Sequence, residues 1–265
     1  MNTLSDKKYW DDGYLRSDRG AGLPDLADFR NLPDKRVIEA IEGIGLRGKR
    51  VLELGAGDSN VLLTLSRRWP SVATFVGLDY STAGCGSLAR RAQAVGVDVS
   101  VVNADMFQPP QDLVGKFEVV YSVGLAEHFV QLGEVLAAMR SFVAPGGVIF
   151  TLIPNMAGVI GKLTMRYNRS VYEIHNPHNM RSFLAGHAQA GLEVMRAGYM
   201  CSTNFGVLSS CFGTTRQKGW KLYVFLTRVS KALWLFESKV MELPKSALLS
   251  PYMYALSRIR TETPC

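Results

Sequence analysis

The chain has 265 residues, 47% hydrophobic and 20% charged, which is typical of a globular protein and excludes a disordered chain or a coiled coil. Its four cysteines form no C-x-x-C pair and its polar start lacks an apolar signal core, so we expect a reducing, cytoplasmic setting. The net charge of +7 lies mainly in residues 213–265, which carry nine basic and three acidic side chains. The sequence contains no dense run of Lys and Arg that would favour a nucleic-acid partner. It also contains no apolar run that approaches the roughly 20 residues of a membrane span.

In chain order, apolar periodicity predicts strands that alternate with helices. The predicted strands are 49–55, 73–79, 97–105, 116–124 and 147–155, and the predicted helices are 60–69, 87–96 and 131–143. This alternation is typical of βαβ units with right-handed crossovers. We therefore expect a parallel sheet with helices on both faces.

The flanking segments are less regular. One or two helices are predicted within 24–45, and a loop or short helices within 156–177. A helix at 180–191, a strand at 192–200, a helical segment at 219–243 and a strand at 250–260 follow. We find no internal repeat.

The stretch VLELGAGDSN (51–60) predicts a strand that runs into a glycine turn of the kind that approaches a nucleotide-like cofactor. It lacks the lysine of a triphosphate-binding loop, and Asn60 replaces the third glycine of a dinucleotide fingerprint. Glu53 would repel a pyrophosphate and attract an ammonium or sulfonium group, unless it only pairs with Lys49 or Arg50. Asp79, closing the second strand, is placed to bind a ribose.

Five motifs then occur in register: ELGAG (53–57), GLD (77–79), NADMF (103–107), EVVYSVGLAEHF (118–129) and VAPGGVIFTLIPN (143–155). In order and spacing they resemble class I S-adenosylmethionine-dependent methyltransferases, and most of all the group similar to the ubiquinone-biosynthesis methyltransferases. The resemblance implies an α/β, doubly wound, Rossmann-like fold whose seven-stranded sheet is mostly parallel, with an antiparallel last strand. It also implies N-terminal arm and cap helices (1–45), a cofactor-binding core (46–200), a helical insertion or acceptor cap (201–249) and a final strand and tail (250–265).

The same resemblance assigns roles around the cofactor S-adenosylmethionine. Glu53 would orient water or the amino end, Asp79 would accept both ribose hydroxyls, and Asp105 would accept the adenine amino group unless it is only a helix cap. The remaining expected cofactor contacts are Gly55, Ala56, Gly57, Tyr80, Met106, Ser122, Val123 and Gly124.

Candidate acceptor-site residues come from two further segments. His128, with Glu127, is predicted to act as general base or acceptor contact, although it could instead brace the turn. Both could also bind a divalent metal with a further carboxylate, but no third ligand is evident and we assign no metal. His175 and His178 would lie over the same mouth, whereas His187, inside a helix, is expected to be structural. Tyr9, Trp10 and Tyr14 are expected in a cover over the cofactor.

The sequence therefore predicts a methyltransferase acting on oxygen or nitrogen, with carbon as a further option, of a small organic molecule in a biosynthetic pathway. A nucleic-acid methyltransferase and a non-catalytic S-adenosylmethionine-binding protein remain alternatives. For the aromatic, lysine-punctuated segment 219–243, three roles stay open: a cap on the acceptor pocket, a homodimer contact, or a membrane-surface helix.

Overall fold

The computed structural model describes residues 3–16, 20, 22–71, 73–212 and 218–260. Within these ranges seven strands form one sheet in the order β3-β2-β1-β4-β5-β7-β6. The strands are β1 Arg50–Leu54, β2 Thr74–Asp79, β3 Ser100–Asn103, β4 Phe117–Val123, β5 Val143–Pro154, β6 Leu192–Met200 and β7 Tyr252–Ile259. The first five pair in parallel, and β7 lies antiparallel between β5 and β6. The predicted fold class is confirmed.

The helices follow the predicted alternation with the sheet. They are α1 Lys7–Arg16, α2 Leu32–Glu42, α3 Asn60–Arg68, α4 Thr82–Val95, α5 Leu132–Ser141, α6 Val159–Tyr167, α7 Arg169–Glu173, α8 Met180–Gln189 and α9 Trp220–Lys239. Short 3-10 helices lie at Phe29–Asn31, Ala126–His128 and Phe205–Cys211. Within the ranges that the structure describes, no helix has both the length and the apolar character that crossing a bilayer requires.

Apolar side chains bury both faces of the sheet. On one face the strands pack against α5 and α8, for example through Leu136 and Phe183; on the other they pack against α2, α3 and α4, for example through Ile41, Leu62 and Leu88. Since neighbouring side chains of a strand point to opposite faces, Leu52 and Leu54 join the first core while Val51 joins the second. A smaller cluster links α6, the 3-10 helix at 205–211 and α9.

Several element boundaries differ from the sequence prediction, and those of α4, β5 and β3 have a local explanation or lie at the site edge. Helix α4 begins at Thr82 rather than 87, because the Ser81 hydroxyl accepts a hydrogen bond from the Gly84 amide and caps the first turn. Strand β5 begins at Val143 rather than 147: Phe117 pairs with Val143, and a register shift absorbs the following Pro-Gly-Gly segment. Strand β3 spans only 100–103 of the predicted 97–105.

The parallel strands bring the sequence motifs to a single edge. The segments after β1, β2, β3 and β4 begin at positions 55, 80, 104 and 124, where the motifs lie. Ligand sites of open α/β sheets form outside the carboxyl ends of strands, near the point where the strand order reverses. Here that point lies between β1 and β4.

Candidate functional site

A cavity of about 300 Å³ opens at this carboxyl edge. Its lining comes from the N-terminal arm, from the carboxyl end of β2 and from the segments after β1, β2, β3 and β4. The lining residues are Thr3, Ser5, Trp10, Tyr14, Gly55, Leu78, Asp79, Tyr80, Ala104, Asp105, Met106, Phe107, Gln108, Gly124, Leu125, His128 and Phe129. This is a deep, mostly apolar site with a few polar groups, as small-ligand sites usually are.

Asp79 is the best-anchored polar group of the cavity. Its two carboxylate oxygens accept hydrogen bonds from the Gly57 amide (2.8 Å) and the Ser81 amide (2.7 Å). Burial raises the pKa of this carboxyl, and the two amide bonds oppose that rise. The amides also fix its orientation at the end of β2, with accepting lone pairs left for a ligand hydroxyl.

The glycine turn after β1 requires glycine at two positions. Gly55 and Gly57 have φ angles of +69° and +46°, in the left-handed region that side chains other than glycine rarely adopt. A methyl group on Gly55 would lie 2.8 Å from the Leu125 side chain, and one on Gly57 would lie 1.9 Å from the Tyr14 hydroxyl. The bare backbone therefore lets Leu125 and Tyr14 close the mouth directly over the turn.

Glu53 lies behind this turn. The sequence suggested that its carboxylate attracts a cationic ligand or pairs with Lys49 or Arg50, but its hydrogen-bond partner in the structure is a different residue. Arg50 pairs with Glu118 (2.9 Å) and Lys49 bonds the Ile44 carbonyl, so neither neutralises Glu53. Instead the Tyr121 hydroxyl donates to Glu53 Oε2 at 2.8 Å, and burial raises the pKa of Glu53 to about 8. At pH 7 the carboxyl is mostly protonated, so its negative charge is available to a cation only if that cation lowers its pKa.

The other predicted cofactor residues divide into two groups. Tyr80, Asp105, Met106 and Gly124 line the cavity together with Gly55 and Asp79. Asp105 also accepts the Phe107 amide at 2.9 Å, so it both caps a turn and faces the cavity. Within the described chain Glu53, Ala56, Gly57, Ser122 and Val123 are not among the lining residues.

Helix α1, which the sequence did not predict as a helix, lies across the mouth. Asp11 accepts hydrogen bonds from the Ser81 hydroxyl (2.6 Å) and the Ala83 amide (3.1 Å), contacts that hold the pKa of Asp11 below its usual value. Trp10 and Tyr14 line the cavity, and Tyr9 is 43% exposed outside it. Leu4 completes the cover because its amide donates to the His128 carbonyl at 2.7 Å.

His128, Glu127 and His175 form a buried polar cluster beside the cavity, with their potential ligand atoms all within 4.8 Å of one another. His128 Nδ1 lies 2.7 Å from the Ile174 carbonyl and His175 Nδ1 lies 2.6 Å from the Val171 carbonyl, so each Nδ1 carries the proton and each Nε2 keeps a lone pair. Glu127 Oε1 is 3.6 Å from His128 Nε2.

Burial controls the protonation of this cluster. It raises the pKa of Glu127 to about 8 and lowers that of His128 to about 3, so Glu127 holds a proton and His128 is neutral at pH 7. Among the described residues, Glu127 Oε2 has no hydrogen-bond partner although it is buried. A buried acceptor of this kind costs free energy unless a ligand, a proton or a cation satisfies it.

The two remaining histidines take different positions. His178 Nδ1 faces the Ser182 hydroxyl at 3.4 Å, at the start of α8, and does not line the cavity. His187 is fully buried in α8 and its Nδ1 bonds the Phe183 carbonyl at 2.9 Å, a contact within the helix that suits the expected structural role.

Sequence reasoning missed several cavity residues. Thr3 and Ser5 enter through the N-terminal arm. Phe107, Leu125 and Phe129 lie within the quoted motifs but had no role assigned, and Gln108 directly follows one of them. The last four had a detectable signal, since they lie in or next to segments already assigned to the same edge. The arm had none, because its position depends on an isolated bridge between Thr3 and Phe129.

The strand order, the antiparallel β7 and the position of the sequence motifs at the carboxyl edge of the parallel strands together define a class I, S-adenosylmethionine-dependent methyltransferase fold. Residues 51–147 match the family described as a methyltransferase domain. Among curated proteins, the ubiquinone biosynthesis O-methyltransferase of Pseudomonas aeruginosa is 29% identical over 133 residues, covering 50% of this chain and 55% of the relative. The Escherichia coli protein of that name is 28% identical over 114 residues, covering 43% and 46%. The resemblance read from the sequence is confirmed.

Solved structures share the fold over a longer stretch. A geranyl diphosphate methyltransferase in complex with SAM superimposes with a TM-score of 0.61 at 15% identity, covering 87% of this chain and 85% of that one. The cyclase SpnF gives 0.65 at 14% identity, covering 97% and 96%. The chain spans about half the length of the curated relatives that it matches, and the structural likenesses show the fold alone.

Proposed function

We propose that this chain transfers a methyl group from S-adenosylmethionine to an oxygen or nitrogen nucleophile of a small organic molecule, with carbon as a further option. The observation that carries the proposal is the position of Asp79: its anchored carboxylate faces the cavity directly beside the Gly55–Gly57 turn. A fixed acceptor pair beside a bare backbone suits a ribose diol next to the methionine part of the cofactor. The match to ubiquinone biosynthesis O-methyltransferases favours oxygen as the acceptor atom.

The cofactor half of the site is assigned as follows. Asp79 would accept the ribose hydroxyls, Asp105 the adenine amino group, and Met106 and Tyr80 would pack near the ring. Glu53 lies behind the turn and does not line the cavity. Its carboxyl would lose its proton when the cationic part of the cofactor binds nearby, and the resulting negative charge would stabilise that part. The bound cofactor supplies an electrophilic methyl group on a sulfonium sulfur, and the protein has to hold the acceptor in line with it. Orientation of this kind is worth about 7–11 kcal/mol in favourable cases.

The acceptor half contains His128 and Glu127. His128 is neutral with a free Nε2 lone pair, so it can accept a hydrogen bond from an acceptor hydroxyl in the cavity. On its own it is a weak base, because its pKa is lowered to about 3. An ionised Glu127, 3.6 Å away, would strengthen it. We therefore assign proton removal to the pair rather than to either residue.

The same cluster fits a divalent transition metal. From the sequence, a metal bound by Glu127, His128 and a further carboxylate was only an alternative without a clear third ligand; the ligand atoms of Glu127, His128 and His175 lie within 4.8 Å of one another, which supports this alternative with a histidine in the third place. Each imidazole donates its other N–H to a backbone carbonyl, as metal-binding histidines usually do, and Glu127 Oε2 has no other partner among the described residues. Glu127, His128 and His175 would then hold the ion, which would lower the pKa of an acceptor hydroxyl.

The direct test is turnover. Purified chain, S-adenosylmethionine carrying a labelled methyl group and a panel of phenols, amines and a bacterial small-molecule extract should give labelled product and S-adenosylhomocysteine. Transfer should not require nucleic acid, which separates this proposal from a nucleic-acid methyltransferase. Saturable cofactor binding with no transfer to any acceptor would contradict it and favour the non-catalytic binding protein.

A further inference from the structure

The outer face of α9 combines exposed apolar and basic side chains. Leu222, Phe225 and Phe236 are 39%, 61% and 42% exposed. At about 100° per residue, these positions and the half-buried Val229 fall within about 60° of arc and form one apolar stripe along the helix. Exposed apolar residues continue beyond the helix at Val240 and Met241.

A basic stripe lies next to the apolar one. Lys221, Arg228, Lys231 and Lys239 are exposed and fall within about 80° of arc. In the ranges that the structure describes, none of the four has a carboxylate within salt-bridge distance. The acid of the helix, Glu237, instead accepts the Ser202 hydroxyl (2.9 Å) and the Leu243 amide (3.1 Å).

The inner face of α9 is fixed to the body of the protein. The indole N–H of buried Trp234 donates to the Thr203 carbonyl at 2.8 Å, and buried Ser230 accepts the Phe205 amide at 2.9 Å. The outer face is therefore exposed even though α9 is packed against the rest of the protein through its inner face.

The surroundings of α9 favour one of the three roles left open for segment 219–243. The cavity lining includes no residue of 201–249 in the described chain, which gives the cap role no support. A second copy packed through this face would oppose its four cations with the same basic stripe. Among the described residues Asp28 interacts electrostatically with Lys231, but its carboxylate already pairs with Arg30. An anionic lipid surface supplies the missing negative charge and accepts the apolar stripe as well.

We infer that the outer face of α9 docks on an anionic membrane surface, with Leu222, Phe225 and Phe236 entering the boundary between headgroups and acyl chains. Lys221, Arg228, Lys231 and Lys239 contact the lipid phosphates. This contact is peripheral and does not depend on the proposed methyl transfer.

Co-sedimentation of the full chain with vesicles tests the inference. Vesicles of equal parts phosphatidylcholine and phosphatidylglycerol should bind the protein, pure phosphatidylcholine should bind it at least tenfold more weakly, and added salt should weaken the binding. The double variants F225S/F236S and K221E/R228E should each lose binding tenfold or more. The matched control M195S/R67E, which changes an exposed apolar and an exposed basic residue elsewhere, should bind like wild type.

Three results would overturn the inference. The first is no binding to the anionic vesicles by a chain whose circular dichroism shows it to be folded. The second is a dimer in analytical ultracentrifugation that F225S/F236S dissociates, which assigns the face to a second copy. The third is binding of a duplex oligonucleotide, but not of vesicles, that K221E/R228E abolishes.

Discussion

Among the side chains proposed to bind the cofactor, Asp79 is expected to contribute a charged hydrogen-bond acceptor to the ribose. Replacing Asp79 by Asn keeps one oxygen for the amide bonds but removes the charge and one acceptor. A hydrogen bond to a charged group contributes about 1.5–3 kcal/mol, so we expect affinity for S-adenosylhomocysteine to fall about 10–100-fold. Calorimetry measures it, with the exposed Asp112→Asn as control. Equal affinities of Asp79→Asn and wild type would remove the ribose role.

Cofactor binding is expected to release the proton of the Glu53 carboxyl. Its pKa of about 8 means that a cation bound nearby at pH 7 should drive release of the carboxyl proton. Cofactor titrations in buffers of different ionisation enthalpy should therefore report net proton release, and Glu53→Gln should abolish it. Undiminished release from Glu53→Gln would mean that the proton comes from another group.

The same carboxyl affects stability with a definite sign. A carboxyl whose pKa is raised on folding contributes stability below its unfolded pKa, near 4.5, and that contribution is lost as the pH rises through about 8. Glu53→Gln should therefore unfold at a higher temperature than wild type at pH 9, with a smaller advantage at pH 5. Melting curves at the two pH values check this, and a variant less stable than wild type at pH 9 would contradict it.

Under the proposed function, Glu127 and His128 remove the acceptor proton. Since Glu127 ionises near pH 8, kcat should rise with pH through that value. His128→Ala should lower kcat about 10²–10⁴-fold with a much smaller change in cofactor affinity. Glu127→Gln should flatten the pH profile, whereas the exposed Glu134→Gln should keep it. Equal losses of kcat and cofactor affinity in His128→Ala would indicate that His128 only braces the turn.

Among the secondary-structure elements, α1 makes the clearest prediction. Asp11 joins it to the first turn of α4, and Tyr14 lies over the glycine turn. Asp11→Ala should release this cover and speed cofactor dissociation severalfold, at a cost in stability of about 1 kcal/mol. Stopped-flow tryptophan fluorescence, to which Trp10 in the cover contributes, gives the rate. Asp12→Ala, one position along the same helix, is the matched control, and equal dissociation rates for the two variants would discard the cover.

Elements also explain which boundaries the sequence could predict. The predicted bounds of β6 match the structure, and those of β1, β2 and β4 differ from it by at most one residue. The apolar run that marks a buried strand is contained in the strand's own sequence, so it can be recognised without knowledge of the fold. Helix α4 began five residues early, since two glycines hide a first turn that depends on the Ser81 cap. The role of α1 depends on contacts with residues about 70 positions away, which no local pattern records.

For the whole molecule, the sequence predicted the sheet and the edge where the site lies. Parallel strands collect their following loops at one edge whatever those loops contain, so Asp79, Asp105 and Gly124 could be placed together. Protonation could not be predicted, because the pKa of Glu53 depends on burial by the finished fold. The sequence predicts His175 over the same mouth as His128, but not the direct contact between their rings, whose centroids lie 4.6 Å apart, because that contact depends on the long connection between the two residues.

All the roles proposed for this protein depend on the binding of S-adenosylmethionine at the carboxyl edge of β1 and β2. The decisive experiment is calorimetry of the full chain with S-adenosylmethionine, S-adenosylhomocysteine and NAD⁺. We expect saturable one-to-one binding of the first two, weakened by Asp79→Asn, and none of the third. Absence of heat with both sulfur compounds from folded protein, or preferential binding of NAD⁺, would contradict this expectation.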